Sequence, residues 1–115
     1  MDTSPGTIER TQHGAVWVLA LRGEHDLSTA PALQKDIDDI YDSGSTVVVD
    51  LTDVTFVDSS ILNVLVHGCE RAAARGEHQF ALVSPAGSLA SRVLDLMIGE
   101  RVPRFETRDA ALAAL

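Results

Sequence analysis

Two adjacent serines, Ser59 and Ser60, follow Asp58 where a β-branched, apolar stretch gives way to a helical pattern. The start of a helix leaves backbone N–H groups without partners and carries a partial positive charge, so it favours anions such as phosphate. A serine there is either a plain N-cap or a hydroxyl whose phosphorylation acts as a switch. The choice between these roles decides what kind of protein this is.

Serine, histidine and aspartate are all present, but their spacing does not favour a hydrolase. No Gly-x-Ser-x-Gly motif and no glycine-rich phosphate loop occur. His67 follows Ser59 on the same predicted helix at a separation of about 12 Å, too far to take the hydroxyl proton. His13 and His78 fall in predicted turns, without metal-ligand spacing. We predict no enzymatic activity, no metal site and no cofactor.

The composition indicates the class of partner. The 115 residues are enough for one domain, and nine basic against seventeen acidic residues give a net charge of −8. This charge argues against direct binding to nucleic acid and favours a basic protein partner. No apolar run approaches the ~20 residues of a membrane span, and no signal-peptide pattern is visible. Because Cys69 is the only cysteine, no internal disulfide can form, and we expect a cytoplasmic location.

The elements that precede the serine pair follow from turn residues and apolar periodicity. Strands are predicted over 7–12 and 15–22, joined at a His-Gly turn, with a polar loop over 23–26 and a loose N-terminus over 1–6. Ser28 or Thr29 caps a helix that spaces its apolar residues helically: Leu33, Ile37, Ile40 and Tyr41. The stretch over 46–51 is β-branched and apolar up to Asp50, which predicts a strand covered on both faces.

Strands and helices continue to alternate after the serine pair. A helix over 59–75 ends at Gly76 as its C-cap, and a buried strand covers 80–83. The helix predicted over 87–97 turns four residues inward: Leu89, Val93, Leu94 and Met97. A short edge strand over 104–106 follows, and Thr107 caps a last helix over 108–115. This alternation predicts a single α/β domain over 7–115 with a mixed sheet.

The helix over 59–75 has one apolar face and one mixed face. At ~100° per residue, Leu62, Leu65, Val66 and Cys69 share a face, while Ser60, Val64, His67 and Arg71 point roughly the other way. Ile61 sits on the flank. Exposed apolar side chains beside polar ones often mark a docking surface, so Ile61 and Val64 beside Ser60 suggest one. The alternative is that a neighbouring helix covers Ile61 and Val64.

Several of these motifs, taken in order, resemble the STAS domain, and specifically the bacterial anti-sigma factor antagonists. Four segments carry the resemblance: Gly23-Glu24-His25-Asp26; Asp50-Leu51 through Phe56-Val57-Asp58-Ser59-Ser60; Ser84-Pro85-Ala86; and Arg104-Phe105 through Ala110-Ala111-Leu112. Together they span residues 23–112. The resemblance implies a STAS-type fold, with a mixed sheet of four to five strands and helices packed mainly on one face.

The resemblance also implies a function. In this family the unmodified domain binds an anti-sigma factor, usually one with a serine-kinase ATPase fold, and so frees a sigma factor for transcription. The kinase phosphorylates the first serine after the aspartate, here Ser59, and a phosphatase reverses the reaction. The resemblance places Asp26 and its loop on the contact surface. Together with the helix pattern, this predicts six partner-binding residues: Asp26, His25, Asp58, Ser60, Ile61 and Val64.

One departure from the family pattern keeps two alternatives open. The family has glycine or other small residues where this sequence has Ile61 and Asn63. Their bulk beside Ser59 favours a STAS scaffold that assembles with other STAS proteins, or with itself, and is not modified by a kinase. The other alternative is a sensor of a small molecule or nucleotide.

Overall fold

The computed structural model describes residues 6–75, 79–99 and 102–115. In chain order the elements are β1 (Thr7–His13), β2 (Val16–His25), α1 (Ala30–Asp42), β3 (Thr46–Val57), α2 (Ser59–Arg75), β4 (Phe80–Val83), α3 (Leu89–Met97), β5 (Arg104–Phe105) and α4 (Arg108–Ala114). The expected C-cap at Gly76, the turn at His78 and residues 1–5 of the expected loose N-terminus lie outside the described residues.

The five strands form one mixed sheet in the order β1-β2-β3-β4-β5. β1 and β2 pair antiparallel through a tight turn at Gly14, whose φ of 63° is readily adopted by glycine. The pairs β2–β3, β3–β4 and β4–β5 are all parallel. The predicted α/β class with a mixed sheet of four to five strands is therefore confirmed.

Helices cover the two faces of the sheet unequally. The larger apolar cluster joins one face of the sheet to α1, α2 and α3 and includes Leu33, Leu65 and Leu94. A smaller cluster on the other face lies beneath α4 and includes Val48 and Ala111. Burial on both faces explains why the central strands are continuously apolar rather than alternating. Three helices thus lie on one face, as the resemblance implied.

Strands β2 and β3 extend beyond their predicted ends. The predicted polar loop over 23–26 is wrong for residues 23–25, because β2 continues to His25. Likewise, β3 continues to Val57. The pairing shifts register twice, between Ala20 and Arg22 and between Gly23 and Glu24. Most of the residues added to β3 are exposed, so no apolar run marks this part of the strand. The extension carries both strands to the edge where the serine pair lies.

The predicted inward face of α3 is partly wrong. Leu89 and Met97 are 54% and 51% exposed, whereas Leu94 is buried as expected. The helix begins later than predicted, because Gly87 has a φ of +78° and Ser88 is the N-cap. The Ser88 hydroxyl accepts from the backbone N–H of Ser91 at 3.1 Å. The buried face therefore consists of Ala90, Ser91 and Leu94.

A carboxylate within β3 ties α4 to the sheet. Asp50 is 5% exposed, and its Oδ2 accepts from Nε of Arg108 at 3.0 Å. Its Oδ1 accepts from the backbone N–H and the hydroxyl of Thr52. As predicted, Thr107 caps α4, its hydroxyl accepting from the Ala110 N–H at 3.1 Å. Asp50 and the Thr107 cap therefore fix the first turn of α4.

Candidate functional site

Two loops that follow β2 and β3 meet at one edge of the sheet. The strand register aligns His25 with Val57, so the next residues, Asp26 and Asp58, leave the sheet side by side. The pKa of Asp26 is lowered mainly by hydrogen bonds from the Ser28 hydroxyl and N–H, while the nearby Asp58 charge acts in the opposite direction. The two carboxylates therefore lie close enough to influence each other's ionisation.

Asp58 caps helix α2. Its Oδ1 accepts from the backbone N–H groups of Ser60 at 2.9 Å and Ile61 at 3.3 Å, and also from the Ser60 hydroxyl. Its carbonyl oxygen accepts from the Leu62 N–H at 3.2 Å, the first bond of the helix. The Ser60 hydroxyl, followed by the backbone N–H groups, lowers the pKa of Asp58, although burial opposes this shift. A hydrogen bond from the Leu27 backbone contributes to the lowering and links the two loops.

The loop after β2 repeats this local geometry. Oδ1 of Asp26 accepts from the backbone N–H of Ser28 at 2.9 Å and from the Ser28 hydroxyl. The carbonyl oxygen of Asp26 accepts from the backbone N–H groups of Thr29 and Ala30, each at 3.0 Å. Short polar side chains that bond the backbone two residues further on stabilise turns of this kind. Both carboxylates at the site are therefore held by their own loops.

The two serines after Asp58 differ in what their hydroxyls are free to do. The Ser60 hydroxyl donates to Oδ1 of Asp58, so it is already engaged within the helix cap. Ser59, the first residue of α2, is exposed, and its hydroxyl has no hydrogen-bond partner among the described residues. Of these two serines, Ser59 alone therefore presents an unengaged hydroxyl to an approaching enzyme or partner.

His25 does not have the exposed position expected of a contact residue. Its side chain is 0% exposed, with Nε2 3.2 Å from the carbonyl oxygen of Thr7 and 3.1 Å from that of Arg22. Since carbonyl oxygens only accept, Nε2 carries a proton. Nδ1 lies 3.0 Å from the hydroxyl of Thr29. His25 thus anchors the Asp26 loop from below, and the prediction that its side chain lines the contact surface is wrong.

Ile61 is also absent from the surface. It is 0% exposed and belongs to the apolar cluster beneath α1, α2 and α3, against which Val64 is partly buried. The exposed docking face predicted from Ile61 is therefore wrong, and the alternative of coverage by neighbouring elements is correct. The assignment of faces at ~100° per residue gave α2 a narrower buried face than the structure shows. Because the Ile61 side chain points into the core, it does not crowd Ser59.

Sequence reasoning missed an exposed apolar side chain at this edge. Leu27 is 71% exposed and lies between Asp26 and Ser28 in the loop that contacts Asp58. A single leucine within an otherwise polar loop was the available signal. We call the set Asp26, Leu27, Asp58 and Ser59 the Ser59 surface. It combines one unengaged hydroxyl, two carboxylates and one apolar side chain.

Removing the Asp58 cap should destabilise the fold modestly. Asp58→Ala is expected to lower the free energy of unfolding by about 1 kcal/mol at pH 7, because the side-chain acceptor of the α2 N-terminus is lost. Since folding lowers the pKa of Asp58, its contribution is present above the unfolded pKa near ~4 and is lost as the pH falls through the folded value. The difference in the free energy of unfolding between Asp58→Ala and the parent protein should therefore become smaller in acid.

Urea denaturation at pH 7 and at about pH 3 would measure both effects. Asp53→Ala is a matched control, because the Asp53 side chain is 62% exposed and pairs only loosely with Arg22, at 3.8 Å. Its effect should stay within ~0.5 kcal/mol. An equal loss in both variants would show that Asp58 does not act as a cap.

The described part of the chain holds neither a metal-binding cluster nor a membrane-spanning helix. Within residues 6–75, 79–99 and 102–115, no group of three or more His, Cys, Asp or Glu side chains is placed to hold a metal ion. Over the same ranges, no helix is both long enough and apolar enough to cross a bilayer.

Fold and site together define a small α/β binding module with a serine hydroxyl presented beside two carboxylates. A family model described as "Mlab, STAS domain" matches residues 8–97. The chain therefore belongs to the STAS domain family.

Known relatives agree with this assignment. The chain is 34% identical over 111 residues to "Anti-sigma-F factor antagonist RsfB" of Mycobacterium tuberculosis, covering 95% of this chain and 88% of the relative. The crystal structure of an anti-sigma factor antagonist from Mycobacterium paratuberculosis superimposes with a TM-score of 0.83 at 28% identity, covering 96% and 93% of the two chains. These regulatory relatives confirm the prediction of a binding protein rather than an enzyme.

A more distant structure shares the fold alone. The Bacillus cell fate determinant SpoIIAA, solved in its phosphorylated form, superimposes with a TM-score of 0.75 at 16% identity. The alignment covers 94% of this chain and 98% of SpoIIAA. The STAS-type fold predicted from the sequence is thus confirmed.

Proposed function

We propose that this protein is an anti-sigma factor antagonist. In its unphosphorylated form it binds an anti-sigma factor of the serine-kinase type in the cytoplasm and so releases a sigma factor. Phosphorylation of Ser59 by that partner switches the protein off, and a phosphatase restores it. The observation that supports this best is the exposed, unengaged Ser59 hydroxyl, in a chain 34% identical to an anti-sigma-F factor antagonist.

The hydrogen bonding favours Ser59 over Ser60 as the phosphoacceptor. A kinase must place the acceptor oxygen in line with the transferred phosphoryl group and must accept or orient the hydroxyl proton. The Ser60 proton is already donated to Asp58, and that bond is part of the helix cap. Modifying Ser60 would therefore disrupt the cap, whereas modifying Ser59 leaves every described hydrogen bond of Asp58 in place.

In the sequence, the bulk of Ile61 and Asn63 beside Ser59 argues against phosphorylation. For Ile61 this argument does not hold. Ile61 was expected to add bulk beside Ser59, but it is fully buried. Asn63 is exposed in the first turns of α2 and remains the single departure that a docking kinase would meet. The approach to Ser59 is therefore more open than the sequence implied.

The charge of the protein suits a basic partner. The chain carries a net charge of −8, and Asp26 and Asp58 add two carboxylates beside the proposed contact point. Complementary charge accelerates association and suppresses wrong partners. The same charge argues against direct contact with nucleic acid. We therefore infer that basic groups of the anti-sigma factor pair with the carboxylates of Asp26 and Asp58, so that no basic group is left opposite Ser59.

An in vitro kinase reaction would test the proposed switch. Unmodified protein would first be used to capture the anti-sigma factor from host lysate, and the purified factor would then be incubated with the protein and Mg-ATP. We expect mass spectrometry to find one phosphate on Ser59, none on Ser59→Ala, and continued modification of Ser60→Ala. Phosphate on Ser60, or no modification although the complex forms, would refute the proposed switch.

Leu27 should be an energetic anchor of this interface. A few side chains that become fully desolvated often carry most of the binding energy, and Leu27 is the 71% exposed apolar member of the Ser59 surface. Leu27→Asp is expected to weaken binding to the anti-sigma factor at least about tenfold, or ~1.4 kcal/mol. The fold should be unaffected, because the side chain is largely solvated in the free protein.

Leu96→Asp is the matched control for this measurement. Leu96 is 86% exposed on α3. Leu96→Asp therefore makes the same change in charge and polarity as Leu27→Asp, but away from the Ser59 surface. Surface plasmon resonance with the purified anti-sigma factor would compare both variants with the parent protein. Equal losses for Leu27→Asp and Leu96→Asp would mean that added negative charge, not loss of the leucine, weakens binding.

A separate observation favours the scaffold alternative. The outward face of α3 exposes three apolar side chains, Leu89, Leu96 and Met97. An exposed apolar face can mark an assembly surface, here for another STAS protein or a second copy of this chain. Under this alternative, the protein would associate through α3 whether or not Ser59 is modified.

A further inference from the structure

A cleft lies beside the carboxyl ends of β4 and β5, which are different strands from those that carry the Ser59 surface. Its volume is about 220 Å³. Six residues line it: Ser84, Ala86, Ser91, Arg104, Phe105 and Glu106. Pockets for drug-sized ligands span ~300–1,000 Å³, so this cleft suits a smaller molecule.

Arg104 is held in the cleft with hydrogen-bonding capacity to spare. Its Nη2 donates to the Ser91 hydroxyl at 3.2 Å and lies 2.6 Å from Oδ1 of Asp95. Its Nε and Nη1 groups have no partner among the described residues, and the side chain is only 21% exposed. A guanidinium is always charged and presents its donors in a rigid fork that matches a carboxylate. Arg104 is therefore positioned before any ligand arrives.

Ser84 adds a second polar side chain to the cleft. The residue is 4% exposed, and its backbone N–H donates to the carbonyl oxygen of Phe105 at 2.9 Å. Its hydroxyl, however, has no hydrogen-bond partner within the described ranges, although the residue lines the cleft. Since every fully enclosed side-chain nitrogen or oxygen of the described residues has a partner, this unbonded hydroxyl must be accessible from the cleft, where a water molecule or a ligand can bond it.

The charges around the cleft select the ligand chemistry. Glu106 lines the same cleft as Arg104, and Asp95 contacts Arg104 from α3. A phosphate dianion would meet one cation and two carboxylates, which is unfavourable. A molecule with one carboxylate and one ammonium group would instead place each beside an opposite charge. Its overall neutrality also suits a protein of net charge −8.

We propose that this cleft binds a small zwitterion, namely an α-amino acid with a short side chain. The carboxylate is bound by the free N–H groups of Arg104 and by the Ser84 hydroxyl. The ammonium group pairs with Glu106. Ala86 and Phe105 bound the space left for the side chain, which restricts it to a small one. This site is independent of the proposed function, because no residue of the Ser59 surface lines it.

An NMR titration of the ¹⁵N-labelled full chain would test the site. Glycine and L-alanine should produce saturable amide shifts confined to residues 84–91 and 104–106. Acetate and methylammonium each carry only one of the two charges and should bind at least about tenfold more weakly. Inorganic phosphate should give no comparable shifts.

Three variants make the test specific. Arg104→Gln and Ser84→Ala should each weaken glycine binding, Arg104→Gln at least about tenfold because it removes a bidentate charged donor. Arg22→Gln makes the same charge change at an exposed arginine that pairs with Asp53 and should leave binding unchanged. The amide spectrum shows whether each variant is folded; if Arg104→Gln is not, the Ser84→Ala titration decides.

Three results would overturn the proposal. The first is the absence of saturable shifts with glycine and alanine up to about 10 mM, a concentration that already corresponds to weak binding. The second is unchanged binding in folded Arg104→Gln or Ser84→Ala. The third is tighter binding of phosphate than of either amino acid at the same residues. None of these results would bear on Ser59, whose role is tested by the kinase reaction.

Discussion

Ser59→Asp is expected to weaken binding to the anti-sigma factor more than a hundredfold, whereas Ser59→Ala should retain it. A phosphate adds about −1.5 to −2 charge at pH 7, and aspartate supplies part of that charge at the same position. Burying an unpaired charge in an interface costs several kcal/mol. A loss of ~3 kcal/mol corresponds to more than a hundredfold in affinity.

The helix cap explains why the added charge should act on the partner rather than on the fold. The backbone N–H groups of Ser60 and Ile61 already donate to Asp58, so they are not available to neutralise a charge on residue 59. The added charge therefore stays at the surface, close to the carboxylates of Asp58 and Asp26. Ser59 itself is exposed, and the helix dipole favours a negative charge there by roughly 0.3–1 kcal/mol.

Two measurements separate these effects. Isothermal titration calorimetry with the purified anti-sigma factor would give the affinities, and urea denaturation would give the free energy of unfolding. Thr107→Asp is the matched control, because it introduces the same charge at a helix N-cap, where aspartate also caps well, on α4 at the other face of the sheet. Thr107→Asp should bind the anti-sigma factor with the same affinity as the parent protein.

Equal affinities for Ser59→Asp and the parent protein would remove Ser59 from the mechanism. In that case the scaffold alternative, with association through the exposed face of α3, would become the better account. A loss of affinity together with a large loss of stability would instead show that the charge acts on the fold of the module.

The alternation of apolar runs and turn residues predicted the α/β class and the order of elements. Val47, Val48 and Val49 form a run that only a strand covered on both faces explains, and this strand is central in the sheet. The hydroxyl at position 107 predicted the start of α4 because capping is a local interaction. Local chemistry and periodicity were sufficient for these features.

Features that depend on tertiary contacts could not be predicted in this way. Ile61 lies on the flank of the α2 wheel, and only the surrounding elements determine that it is fully buried. His25 follows a glycine and a glutamate in a stretch that resembles a loop, yet β2 continues through two register shifts to His25, whose side chain is buried. The unengaged Ser84 hydroxyl depends on the geometry of β4 and β5, which the sequence does not reveal.

Arg108→Met is expected to lower the free energy of unfolding by about 3 kcal/mol, the largest effect we predict for a residue outside the apolar core. Asp50 is 5% exposed and lies in the central strand β3. Without Arg108, its carboxylate keeps only the hydrogen bonds from Thr52. An uncompensated buried charge is strongly destabilising, and the estimate is at the low end because the Arg108 side chain is 33% exposed.

A double variant distinguishes a stranded charge from lost packing. In Arg108→Met the replacement keeps most of the apolar stem, and adding Asp50→Asn removes the buried charge while preserving an acceptor for Thr52. The double variant should therefore be more stable than Arg108→Met alone, and urea denaturation of the full cycle would measure the coupling. Arg22→Met breaks an ion pair whose side chains are 56% and 62% exposed and should change stability by less than ~0.5 kcal/mol. If the double variant were the least stable of all, the pair would be contributing through packing of α4 rather than through charge compensation.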